Sequence, residues 1–158
     1  IKGIGGNSTL EIGFLTVIPN LFASIGMVLI SRSSDRMRER RWHLAIPAVI
    51  GALGLIWSTS ASGVVLAMTA LTIANIGIIT VLPLLWSQPT AMLSGTAAAA
   101  GIALINSVGN LAGFFSPSLV GWLKSVTGST TSGMYLLAAS LVVGALLALS
   151  QPAKLVNK

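Results

Sequence analysis

Cysteine is missing from the 158 residues, so neither a disulfide nor a thiolate nucleophile belongs to this chain. Charge is almost as scarce: nine Lys and Arg, three Asp and Glu and one histidine, so that charged residues make up 8%. A soluble domain carries about a quarter. With 54% hydrophobic residues and a mean hydropathy of +0.90, the chain has too little polar surface to face water on all sides. A lipid bilayer solvates such an exterior without penalty. The shortage of ionisable groups also excludes most chemistry. His43, the one histidine, has no second metal ligand beside it in the sequence, and no nucleophile-and-base pair or glycine-rich phosphate loop is visible. The expectation is a protein that is no enzyme and holds no metal or cofactor. The net charge of +6 does not indicate nucleic acid, because no basic groove with interleaved aromatics accompanies it.

Long apolar runs are what the chain does have. Five are long enough to cross about 30 Å of hydrocarbon: residues 12–30, 44–58, 64–86, 95–123 and 134–149. The expected fold is therefore all-α, a polytopic membrane helix bundle. Turn-forming stretches separate the spans at STSASG (58–63), SQPT (87–90) and KSVTGSTTSG (124–133). Pro83 and Pro89 predict that the third span ends or breaks there, with Trp86 as an anchor or as part of a broken helix. IKGIGG at the start contains neither an initiator methionine nor a signal-peptide pattern, which suggests a piece of a longer chain.

Seven of the charged residues, Arg32, Asp35, Arg36, Arg38, Glu39, Arg40 and Arg41, crowd into SRSSDRMRERRWH at 31–43, read as a loop between the first two spans. With an odd number of spans, this loop and Lys154 and Lys158 share one side, leaving Lys2 and Lys124 on the other. Basic residues are retained on the cytoplasmic side, so the 31–43 loop and the C-terminus are expected there. Trp57, Trp122 and Tyr135 then fall at outer ends and Trp42 at an inner one.

Polar side chains divide the spans into two kinds. The second has no Asn, Gln, Ser or Thr between Leu44 and Trp57, and the fifth only Ser140, so both read as lipid-facing supports. The first places Thr16, Asn20 and Ser24 on one helical face. The third carries Thr69, Thr72, Asn75 and Thr80, and the fourth Asn106, Ser107 and Asn110. Such faces need another helix or a water-filled cavity. A hairpin turning near 93–96 sets Trp86 and Asn106 at similar depth, across a cavity if one is present. Gly109 and Gly113 form a GxxxG pair suited to close helix contact.

SRSSDRMRERRWH resembles the loop between helices 8 and 9 of the major facilitator superfamily, with its G-x-x-x-D-R-x-G-R-R pattern. WSQPTAMLSGTAAAAGIALINSVGNLAGFFSPSLVGWLK resembles helices 10 and 11 of the superfamily's anion:cation symporters, and VTGSTTSGMYLLAA continues the likeness. Ser31 and Arg38 stand where the motif has glycine. The resemblance implies five helices equivalent to helices 8–12 of a twelve-helix transporter, with a stub of the preceding loop at Ile1–Gly6 and the N-terminal half missing. It implies alternating-access transport of a small organic anion in the bacterial inner membrane, with a proton as coupling ion. Trp86 and Asn106, with Ser87 and Asn110, are the substrate-binding residues it implies. Asp35, Arg36, Arg40 and Arg41 are the conformational gate, Asp35 lying near the helix start at Ser94 and Gly95. Sugar or drug transport, or a non-transporting scaffold subunit, are the alternatives.

Overall fold

The computed structural model describes residues 9–157, with side chains at Gly13 and from Thr16 onward. The expected stub at Ile1–Gly6, Lys2, the Glu11 side chain and Lys158 lie outside the described residues. Six helices follow one another: α1 (Thr9–Met37), α2 (Arg41–Ser60), α3 (Val64–Met92), α4 (Gly95–Thr127), α5 (Thr131–Ser150) and the single-turn α6 (Ala153–Val156). The first five are long and apolar enough to cross a membrane, and among the described residues there is no strand. The chain is thus an integral membrane protein of the all-α class.

In space the order is α1, α3, α2, α5, α4, because α2 packs along both α3 and α5 while α1 lies along α3. Small residues make these contacts. Ala52, Ala74 and Ala138 meet around Leu55, and Ala45, Ala48 and Ala145 form a second cluster. With no hydrophobic driving force between helices in lipid, close van der Waals approach is what holds them. The tightest point is Gly77, where an added Cβ would lie 2.6 Å from the Gly51 Cα and collide with the Pro47 carbonyl. Gly54 approaches the Ala74 backbone as closely. By contrast, a Cβ added at Gly109 or Gly113, the expected contact pair, would meet no other helix or side chain within 4 Å among the described residues.

α2 is therefore more than an outer support. One stripe (Leu44, Ala48, Gly51, Leu55) is packed, and the opposite one (Ile46, Ile50, Leu53, Trp57) is exposed. α5 repeats the pattern, with Ala138 and Ala145 inside and Val143, Leu146 and Leu147 outside. α4 is the exception, a 33-residue helix with no buried residue among those described.

Two sequence expectations need correction. The 31–43 stretch is not a long loop: Ser31–Met37 continues α1, α2 begins at Arg41, and only Arg38–Arg40 lie between. Similarly, α3 neither ends nor breaks at Pro83 or Pro89 but runs on through SQPT to Met92. Each proline removes one donor from the helical ladder. Near the second proline Ser87 Oγ donates to the Leu84 carbonyl at 2.8 Å and Thr90 Oγ1 to the Ser87 carbonyl at 3.0 Å, neither of them the Leu85 carbonyl that Pro89 leaves without its helical donor. Membrane helices tolerate proline where local adjustment and neighbouring helices accommodate the freed backbone groups.

Candidate functional site

Two groups of polar residues emerge, one within the spans and one at the arginine-rich end. The first lies on α1 and α3. Asn75 Nδ2 donates to Asn20 Oδ1 at 3.2 Å, and Asn20 Nδ2 donates to the Thr16 carbonyl at 2.8 Å. Thr16, Asn20 and Ser24 line an open groove of about 310 Å³ with Val17 and Leu21. On α4, Asn106, Ser107 and Asn110 are all exposed. The polar faces foreseen from their spacing are thus left uncovered by the described chain.

Trp86 and Ser87 are half-buried on α3. α3 and α4 touch only sparsely, with Trp86 half-buried on the first and Asn106 exposed on the second. Gln88 and Thr80, both buried on α3, have no hydrogen-bond partner for Nε2 and Oγ1 respectively among the described residues. From the sequence Thr80 counts only among the third span's polar residues and Gln88 only as part of the expected SQPT turn, so neither stands out as a binding residue.

At the other end the backbone turn comes first. α1 stops where Arg38 takes φ = 51°, a left-handed conformation. The Arg38 N–H then donates to the Asp35 carbonyl at 3.4 Å and the Glu39 N–H to the Ser34 carbonyl at 3.2 Å. These are the paired bonds of a Schellman helix end, whose left-handed position glycine usually fills. Arg38 is the motif position at which the superfamily has glycine, so the turn persists without it.

Glu39 then organises the junction. Its Oε2 accepts the Trp42 N–H at 2.8 Å, in the first turn of α2, where a carboxylate suits the helix dipole. Its Oε1 accepts Asn157 Nδ2 at 2.8 Å, and Asn157 Oδ1 in turn accepts the Arg40 N–H at 2.9 Å. His43 Nδ1 stands 3.6 Å from Oε2, while its Nε2 is 3.1 Å from Ser33 Oγ. Burial by itself raises the Glu39 pKa, but the bonds from Asn157 and the Trp42 N–H, with His43 nearby, outweigh it and hold the pKa below the ordinary 4.5. Two arginines extend the junction to other helices. Arg40 donates to the Ser87 carbonyl of α3 at 2.6 Å, and Arg41 to the Leu149 carbonyl in the last turn of α5. A helix C-terminus has unpaired carbonyls and a partial negative charge, so a guanidinium there satisfies both. Asp35 and Arg36 are exposed, and among the described residues the Asp35 carboxylate has no hydrogen-bond or ion-pair partner. Glu39 and Asn157 hold the junction together. Their partnership links positions 118 apart, which local pattern does not reveal.

Related sequences bear on this bundle of apolar helices with exposed polar faces. The chain is 49% identical over 144 residues, 91% of its length, to a protein of Agrobacterium vitis named as a tartrate transporter, of which it covers 32%. It is 43% identical over 159 residues to a metabolite transport protein of Pseudomonas putida, matching 100% of this chain and 36% of that one. A quinolone resistance transporter of Acinetobacter baumannii is 39% identical over 155 residues, 98% of this chain and 36% of the relative. No family profile and no solved structure matches. The chain spans about a third of the length of the curated relatives it matches. All three are named as transporters, none as an enzyme.

Proposed function

We propose that this chain is part of the C-terminal six-helix half of a secondary transporter that moves a small organic anion, a carboxylate or sugar acid, by alternating access. α1 to α5 correspond in this reading to helices 8–12, and the N-terminal half closes over the polar faces of α1, α3 and α4. The uncovered mid-span Asn20 and Asn75, with Asn106 and Asn110 on α4, are the observation that carries it. Polar groups this deep in a span are costly in lipid and belong to a pathway or a protein contact. Identity to a tartrate transporter favours a hydroxylated carboxylate as the substrate class.

Trp86 offers an apolar wall and an indole donor to the substrate, Asn106 hydrogen-bonds its oxygens, and Ser87 and Asn110 assist. The proton is the coupling ion, handled by residues of the other half. The membrane is the bacterial inner membrane, with the arginine-rich end and the C-terminus cytoplasmic, as the excess of basic residues there favours. Asp35, Arg36, Arg40 and Arg41 form the gate, Arg40 and Arg41 acting as braces to α3 and α5 while Asp35 remains available for the opposing surface. The test is uptake of labelled tartrate by the full-length transporter in proteoliposomes, with and without an inward proton gradient. Gradient-dependent uptake that falls in Asn106→Ala and Trp86→Ala supports the reading, and uptake of neither tartrate nor any other carboxylate refutes it.

The quinolone resistance relative favours a second reading, transport of a drug-like amphiphile. Uptake or efflux of a fluoroquinolone in the same vesicles separates the two.

A further inference from the structure

Asn20 and Asn75 occupy equivalent depths: each lies eleven residues from the start of its 29-residue helix, and α1 and α3 run in the same direction. At about 1.5 Å per residue this is roughly 16 Å below the helix ends, inside the hydrocarbon thickness. The pair is held in place from one side. Ala23, one turn along α1, is 1% exposed, and a Cβ on Gly26 would come within 2.8 Å of Ile76. The two carboxamides therefore sit at a firm helix crossing while Asn20 itself stays exposed.

Their unused hydrogen-bonding capacity identifies what they fit. Asn20 Nδ2 donates to the Thr16 carbonyl and accordingly has one N–H left, and Asn75 Nδ2 donates to Asn20 Oδ1 and likewise has one left. The Thr16 and Ser24 hydroxyls donate to the carbonyls of Gly13 and Asn20 at 2.7 and 2.8 Å, which leaves their oxygen lone pairs as acceptors. The groove of about 310 Å³ on α1 thus presents donors and acceptors from Thr16, Asn20 and Ser24, with the Asn75 carboxamide bonded to Asn20 from α3. No Lys or Arg lies in either helix between Thr9 and Ser31 or between Val64 and Met92. A carboxylate only accepts and is best met by a cation, whereas an alcohol donates and accepts at once.

We propose that Asn20 and Asn75, with Thr16 and Ser24, form a subsite that recognises the hydroxyl groups of the transported solute, apart from the site that recognises its charge. This rests on the transport reading and adds to it a basis for choosing hydroxylated over deoxygenated substrates. The competing occupant of the face is a helix of the other half packed directly on it.

The full-length transporter in proteoliposomes distinguishes these, with labelled tartrate and labelled succinate as probes. Asn20→Ala and Asn75→Ala should each raise the KM for tartrate about tenfold and leave that for succinate unchanged, with Asn75→Ser partly restoring the preference. Equal changes for both substrates, or no change for either, overturn the proposal. In a background without other cysteines, Asn20→Cys should react with a charged, membrane-impermeant thiosulfonate while Leu53→Cys on the lipid stripe of α2 does not. An unreactive Cys at 20 means the face is covered, and the subsite is refuted. Wild-type protein that carries neither dicarboxylate defeats the carboxylate reading alone. Protection of the reactive thiol by tartrate or sorbitol then upholds the subsite, and protection by neither overturns it.

Discussion

Arg38→Gly is the substitution whose outcome follows most directly from backbone geometry. At φ = 51° the Arg38 Cβ crowds its own backbone, a cost of about 1–2 kcal/mol for an L-residue. Glycine removes that cost but gives back about 0.5–1 kcal/mol through the greater freedom of the unfolded chain. The net gain is about 0.5–1 kcal/mol, confined to the turn that joins α1 to α2. Arg38→Ala separates charge from conformation, because it deletes the same exposed guanidinium yet keeps the Cβ. It should leave the turn within about 0.5 kcal/mol of wild type. Arg38→Val adds a β-branch in the same conformation and should weaken it. Amide hydrogen exchange at residues 34–39 of the detergent-solubilised transporter reads this locally. The gain corresponds to exchange slowed roughly two- to fivefold in the glycine variant. Alanine and glycine variants exchanging alike would refute the reasoning, since the left-handed turn would then not be what limits the junction.

Further expectations concern the same junction and the bundle behind it. Asn157→Ala removes the bonds to Glu39 and to the Arg40 N–H. It should destabilise the docked tail by about 1–2 kcal/mol, read as faster proteolysis near residue 152. The Glu39 pKa is lower folded than the ordinary 4.5, so unfolded or undocked protein binds the proton more tightly. The stability Glu39 contributes is therefore complete above that value and is lost as pH falls through the folded pKa; tail protection measured from pH 7 down to 3 should show the loss, and Glu39→Gln should flatten it. Gly77→Ala forces a Cβ into the Pro47 carbonyl and the Gly51 backbone. Overpacking of backbone against backbone belongs at the upper end of the usual 1–3 kcal/mol, and a lowered melting temperature in detergent tests it, with Gly109→Ala as the neutral comparison.

Hydropathy made the five spans legible because the bilayer demands long apolar runs whatever the packing. It could not fix their ends. Ser31–Met37 is polar and still helical, since the helix continues past the hydrocarbon until Arg38 turns it. The proline rule failed in α3, which runs through Pro83 and Pro89 to Met92, because membrane helices tolerate proline better than a propensity argument allows. Spacing identified the faces bearing Asn20, Asn106 and Asn110, but the GxxxG motif pointed to Gly109 and Gly113 when the close contact is Gly77 against Gly51. The latter glycines belong to different helices, so no single-segment pattern pairs them. The arginine cluster was visible as a cluster. That Arg40 and Arg41 reach carbonyls on α3 and α5 depends on the order of helices in space.

The bond between Glu39 and Asn157 also imposes a timetable on synthesis. Asn157 is added 118 residues after Glu39, which at about 5–20 residues per second is roughly 6–24 s. Throughout that interval the nascent loop between α1 and α2 carries a carboxylate without its carboxamide, while α2, α3, α4 and α5 enter the membrane in turn. Its closure then serves as a late checkpoint, reached only by a chain whose intervening helices have all crossed in the correct sense. A helix inserted backwards would leave residue 157 on the wrong side of the membrane from Glu39, and the knot would never tie.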